Sequence, residues 1–157
     1  MAGNRVTMRQ KHWPTKEVFY DAGDTGNSGT LFPEGIEIDT DTEDAYIRVH
    51  VPFDFDALDE IVLVVIPIAR QATMWIQVIT EYNISGKNYT ENTEGPLFYS
   101  FDAVPNRITE IDIQESVNTV ALQAGDYIIV TPSRQAAMPS NNTDLYVMGV
   151  RFKYKYR

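Results

Sequence analysis

Few side chains here are of types that do covalent chemistry, and their spacing narrows the options further. His12 and His50 are the only histidines and cysteine is absent, which removes disulfides, thiolate metal sites and a cysteine nucleophile. His50 follows Arg48 on the polar side of an alternating stretch, with no Ser-His-Asp order around it. Glu110 and Asp112 lie two apart, so a strand would put both carboxylates on one face. That pair could serve glycoside hydrolysis only if a sheet curved round the sugar, and strand solubility explains it better. The run Asp39-Thr40-Asp41-Thr42-Glu43-Asp44 sets Asp39, Asp41 and Glu43 at the alternate positions calcium favours, yet the glycine that sharpens an EF-hand loop is missing. A solvated acidic turn is the simpler reading. No glycine-rich phosphate loop precedes a helical pattern. The expectation is a protein with no catalytic residues and no cofactor.

Binding chemistry is better represented. Leu145 to Arg157 alternates strictly, so a strand would carry Tyr146, Met148, Val150, Phe152, Tyr154 and Tyr156 on one side and Arg151, Lys153, Lys155 and Arg157 on the other, as a cationic stripe. Glu34 to Glu60 holds ten acids against one base, Arg48, while residues 1–16 carry Arg5, Arg9, Lys11 and Lys16 with no acid. Cationic ends and an anionic middle suit contacts between copies, with the stripe meeting the acidic segment of a neighbour. Lysines on a solvated edge strand, which discourage aggregation, explain the stripe comparably well. Nucleic acid is disfavoured by the net charge of −9 and the pI near 4.6. Trp13, before Pro14, would anchor an extended N-terminal arm. Trp75, Tyr82, Tyr89 and Tyr99 are candidates for a sugar-stacking platform, with core packing as the default for aromatics in strands.

The elements that would position these residues read as strands. Ile47, Val49 and Val51 alternate with Tyr46, Arg48 and His50, and Met74, Ile76 and Val78 alternate with Trp75, Gln77 and Ile79. Ile61 to Ile66 is apolar at every position and rich in β-branched residues, as in a central strand covered on both faces. Phe53, Phe55 and Leu58 are spaced for one helical turn over the end of the core. Residues 22–29 and 131–142, rich in Gly, Ser, Asn or Pro, read as loops, and Glu115 to Gln123 reads as one or two helical turns ended by Gly125. Seven to nine short strands without a long amphipathic helix predict one all-β domain, an antiparallel jelly-roll-like β-sandwich over residues 17–157 behind a basic arm at 1–16.

The totals agree. A chain of 157 residues, 43% hydrophobic and 22% charged, can bury one core. No secretory signal pattern opens it and no apolar stretch is long enough to span a bilayer, so synthesis in the cytoplasm and no membrane partner are expected. The Asn-X-Ser/Thr matches at Asn83, Asn88 and Asn141 then read as accidental markers of loops.

Five strings, Tyr46 to Leu58, Ile61 to Pro67, Ile108 to Ile113, Ala124 to Ile128 and Leu145 to Tyr154, occur in an order that resembles β-sandwich virion proteins of tailed phages and environmental viral contigs. The resemblance covers roughly residues 43–157. It implies a non-enzymatic structural role on the particle, as capsid decoration, head fibre or tail component, with identical copies (a trimer by analogy) and other virion proteins as partners. The rival expectation on the same fold is a carbohydrate- or receptor-binding module.

Overall fold

The computed structural model describes residues 14–24, 31–32, 35–39, 43–117, 122–134 and 144–157. Ten strands occupy them: β1 (Thr15–Asp24), β2 (Leu31–Phe32), β3 (Gly35–Ile38), β4 (Ala45–His50), β5 (Phe55–Pro67), β6 (Gln71–Ile84), β7 (Asn92–Ala103), β8 (Thr109–Asp112), β9 (Asp126–Arg134) and β10 (Leu145–Tyr156). Two short 3-10 turns, Tyr89–Glu91 and Gln114–Ser116, are the helical elements among these residues.

Every pairing is antiparallel. In the first sheet β10 pairs with β5 along one edge, and β8 lies beyond β5; along the other edge it pairs with β3 and then β1. The second sheet runs β4, β9, β6, β7. Strand β1 belongs to both, since Thr15 to Asp21 pair with β10 and Ala22 to Asp24 with β4. The result is an antiparallel, jelly-roll-like β-sandwich. Its interior holds Ile61, Leu63, Val65, Val150 and Phe152 from one sheet, and Ile47, Val49, Met74, Ile76, Val78, Ile128 and Val130 from the other. Burying each such side chain contributes about 1.5–3 kcal/mol, against the entropy of ordering it.

Three expectations are corrected. The Phe53–Leu58 segment forms no helical turn: β5 begins at Phe55, whose ring packs inward beside Phe152 and Tyr154 at centroid distances of 6.1 and 6.0 Å. Strand β9 extends to Arg134 and β1 to Asp24, so the flanking loops are shorter than expected, while the remainder of both loops lies outside the described residues. The alternation in β10 reverses once. Leu145 and Val147 are buried, and then Val150, Phe152 and Tyr154, because the register with β5 slips between Val147 and Gly149. A bulge adds one residue and inverts the phase, which puts Tyr146 and Met148 on the face opposite the one expected. Glycine is required there: a Cβ on Gly149 would stand 2.1 Å from the Tyr20 carbonyl oxygen, and one on Gly35, at φ +126°, 2.1 Å from that of Val147.

The cationic stripe therefore lies on a central strand. Arg151 donates to Glu17 of β1 (2.8 Å), to both carboxylate oxygens of Glu60 on β5 (3.0 and 3.1 Å) and to Glu110 of β8 (3.0 Å). Lys153 pairs with Asp59 at 3.3 Å and Arg157 with Asp56 at 2.9 Å. Lys155 lies between Thr15 and Ala57 in the register. Acids of the 54–60 stretch meet the stripe inside one chain. The register also places Arg151 beside Val62, which with Val64 is buried on this outer face, so the doubly apolar strand has cover on both sides. Arg151 ties four strands together, and its side chain is only 21% exposed.

Arg151→Met leaves three carboxylates facing one another across β1, β5 and β8. It is expected to lower unfolding stability by about 1.5–3 kcal/mol in urea titration at neutral pH. A midpoint equal to that of the parent chain would show that the network contributes nothing.

Candidate functional site

At one end of the sandwich β4 ends, β5 and β9 begin, and the β6–β7 connection turns. Three aromatic rings meet there. His50, the last residue of β4, stacks on Tyr127 of β9 at 4.6 Å between centroids and receives Phe53 edge-on at 5.3 Å. Phe53 is 82% exposed and Tyr127 52%. Antiparallel pairing creates the stack, because His50 and Tyr127 are direct partners in the β4–β9 register and share the outer face. Such geometry is worth about 0.5–1.5 kcal/mol beyond burial.

The turn that presents Phe53 is held on several sides. Phe55 N–H donates to the Pro52 carbonyl (3.0 Å) and Arg157 N–H to that of Asp54 (3.0 Å), while Val51 exchanges backbone hydrogen bonds with the Gly125–Asp126 segment at 2.9 and 2.8 Å. The Asp54 carboxylate accepts from Tyr154 Oη at 2.9 Å and from Lys16 Nζ at 2.5 Å, and Tyr20 Oη donates to the His50 carbonyl at 2.6 Å. The Lys16 and Tyr154 hydrogen bonds hold the Asp54 carboxyl below its ordinary range. Burial, reinforced by the Asp54 carboxylate, pushes the Tyr154 phenol up to about 12.

His50 was expected to be a plain surface residue. Its Nε2 is buried and meets no hydrogen-bond partner among the described residues, an arrangement that costs on the order of 1–3 kcal/mol. The ring's evident work is to hold two exposed rings in place.

Clefts of about 370 Å³ and 290 Å³ open at this end of the sandwich. The first is lined by Phe53, Asp56, Gln123 and Arg157 among others. The second includes Asn83, Lys87, Glu91, Gln123 and Asp126. Gln123 thus lines both, and Asn83, in the second, is the β6 register partner of Tyr127. A larger open depression of about 630 Å³, lined by Tyr99, Asp112, Gln114, Glu115 and Val117, lies on the inner side of β7. Much of its polar lining serves the adjoining turn: Tyr99 Oη bonds Ser116 Oγ at 2.6 Å, and Asp112 accepts from Gln114 N–H at 2.9 Å.

The aromatics read from sequence as one platform are not brought together. Trp75 is on the outer face of β6, Tyr82 is a core residue 1% exposed, Tyr89 is on the 3-10 turn and Tyr99 faces the depression. Trp13 and His12 lie outside the described residues, as does Asp41 of the calcium candidate. Glu43 accepts from the Asp39 backbone N–H at 2.8 Å, and no group of three or more His, Asp or Glu able to hold a metal occurs among the described residues. Glu110 is engaged by Arg151 and Asp112 by its turn. Sequence reasoning missed Phe53, Gln123 and Tyr127; a Phe directly after Pro52 and before Asp54 was the available signal.

No family model matches this chain, nor does any curated protein. Two of the solved structures that align with this chain are the following. A "family two carbohydrate esterase from Cellvibrio japonicus" aligns with a TM-score of 0.45 at 7% identity over 91% of this chain and 34% of its own, so the chain spans about a third of that protein. A "xylan-binding module CBM15" aligns with a TM-score of 0.42 at 12% identity, over 92% of this chain and 98% of its own. At TM-scores below 0.5 neither likeness assigns a function.

The Tyr154 phenol should ionise later than an ordinary phenol. Because folding favours its neutral form, the stabilisation is complete below the ordinary phenol value of 10.0 and is lost as pH rises towards 12. Asp54 works the other way, contributing above 3.8 and losing its contribution as pH falls through its lowered folded value. Ultraviolet titration should show a late phenolate step that is absent from Tyr154→Phe; its persistence in the variant would refute the assignment.

Proposed function

We propose that this chain is a non-enzymatic recognition module whose ligand is a carbohydrate bound at the aromatic end of the sandwich. The supporting observation is the Phe53–His50–Tyr127 group: two largely exposed rings, fixed by a network beneath them, beside clefts lined with carboxamides and carboxylates. Exposed rings offer flat apolar faces to the C–H faces of pyranoses, and neighbouring amides and acids offer directional hydrogen bonds to hydroxyls. A ring exposed as Phe53 is forgoes much of the roughly 1.5–3 kcal/mol that burial would give, and its turn is nonetheless rigidly built. Such preorganisation lowers the entropic cost of binding.

A second reading, a capsid decoration, head-fibre or tail component assembling with identical copies and other virion proteins, is supported by the resemblance of the strand strings. It is also favoured by a smaller exposed apolar group at the opposite end, where Ile68 and Ile108 stand on neighbouring turns joined by the Asn106 N–H to Pro67 carbonyl bond of 3.0 Å. The two readings combine readily, with attachment at one end and recognition at the other. No helix among the described residues is long and apolar enough to cross a membrane.

Screening against a glycan array should give binding that Phe53→Ala and Tyr127→Ala each weaken by tenfold or more, about 1.4 kcal/mol, with little change in melting temperature for the exposed Phe53 and a modest fall for Tyr127, which gives up its stack on His50. An array with no signal, or binding indifferent to both substitutions, would refute the carbohydrate reading.

A further inference from the structure

We infer that the site takes an extended, uncharged oligosaccharide, with a sugar unit in each cleft and the chain crossing the Phe53–Tyr127 ridge between them. This rests on the carbohydrate reading above and adds length and charge to it. The geometry is continuous: the first cleft is bounded by Phe53, Phe53 touches His50, His50 stacks on Tyr127, and Tyr127 pairs with Asn83 in the wall of the second. Gln123 closes the circuit by lining both. A single sugar can occupy one cleft or stack on one ring, whereas a chain engages both, and the second contact then forms at the high effective concentration of a tethered group.

Charge sets the class. The clefts hold two bases, Lys87 and Arg157, against three acids, Asp56, Glu91 and Asp126. Arg157 is engaged by Asp56 at 2.9 Å, Glu91 accepts from Asn83 Nδ2 at 3.0 Å, and Asp126 accepts from the Gln123 backbone N–H at 2.7 Å. A polyanionic glycan would find little compensating positive charge here, and the whole chain at −9 repels it. Neutral hydroxyls suit the Gln123 carboxamide, which both clefts share, while that of Asn83 is held by Asn88, Glu91 and the Ile84 N–H and shapes the wall of the second cleft.

The test is calorimetric titration of the full chain with mono- and hexasaccharides of glucose, xylose, mannose and galactose, and with an oligogalacturonide as the anionic probe. At least one neutral hexasaccharide should bind tenfold or more tighter than its monosaccharide, and tighter than the oligogalacturonide. Because Gln123 lines both clefts, Gln123→Ala should weaken the hexasaccharide by a larger factor than the monosaccharide and so remove most of that gain; the Gln123 hydrogen bond to Asp126 is made by the backbone and survives the substitution. Equal affinity for one unit and six, or an equal loss for both in the variant, would overturn the two-cleft inference and leave the carbohydrate reading standing. Tighter binding of the oligogalacturonide would overturn the charge argument. No binding by any sugar would overturn both the inference and the reading beneath it.

Discussion

Strand β10 must be paired on both edges for this sandwich to close. Along one edge it carries β5; along the other it carries β3 and then β1, and the change of partner coincides with the bulge at Gly149. From there β1 leaves the first sheet and joins β4 in the second. If the bulge were straightened, a strict alternation would turn either Leu145 and Val147 or Val150 and Phe152 out of the core. The Arg151 network sits just beyond the bulge and joins β1, β10, β5 and β8 on the outer face, where a lone charge would be costly and a multiply bonded one is tolerated.

The same pairings build the aromatic end. Tyr154 and Lys16 come from β10 and β1, and both reach Asp54 in the turn that carries Phe53. Tyr20 from β1 fixes the end of β4 through the His50 carbonyl. The proposed recognition surface is thus held by strands of both sheets, as a precise site on a rigid scaffold requires.

Strand grammar was legible wherever one face is buried and the register is unbroken. Ile47, Val49 and Val51, and Met74, Ile76 and Val78, point inward as the alternation requires, and the apolar run at 61–66 belongs to a strand with a neighbour on each side. The bulge in β10 was illegible because Gly149 fits a strict alternation as readily as it fits a break in one. Charge was the least readable feature: a stripe of bases and a distant block of acids look like surfaces for other molecules until the topology sets Glu60 and Asp59 beside Arg151 and Lys153. The aromatic end was hidden for a related reason. Phe53, Gln123 and Tyr127 belong to different segments, and only the β4–β9 and β6–β9 registers bring those segments together, while Phe53 by itself looks like one more core residue.

Backbone amide NMR of the isotopically labelled chain, titrated with the neutral hexasaccharide that binds most tightly, addresses recognition at the aromatic end most directly. The largest shifts should fall on residues 50–54, 83–92 and 122–127, with the sheet carrying Arg151 little changed. Shifts centred instead on Tyr99, Asp112 and Glu115, or on Trp75 and Phe98, would move the site elsewhere and contradict the role assigned to Phe53 and Tyr127.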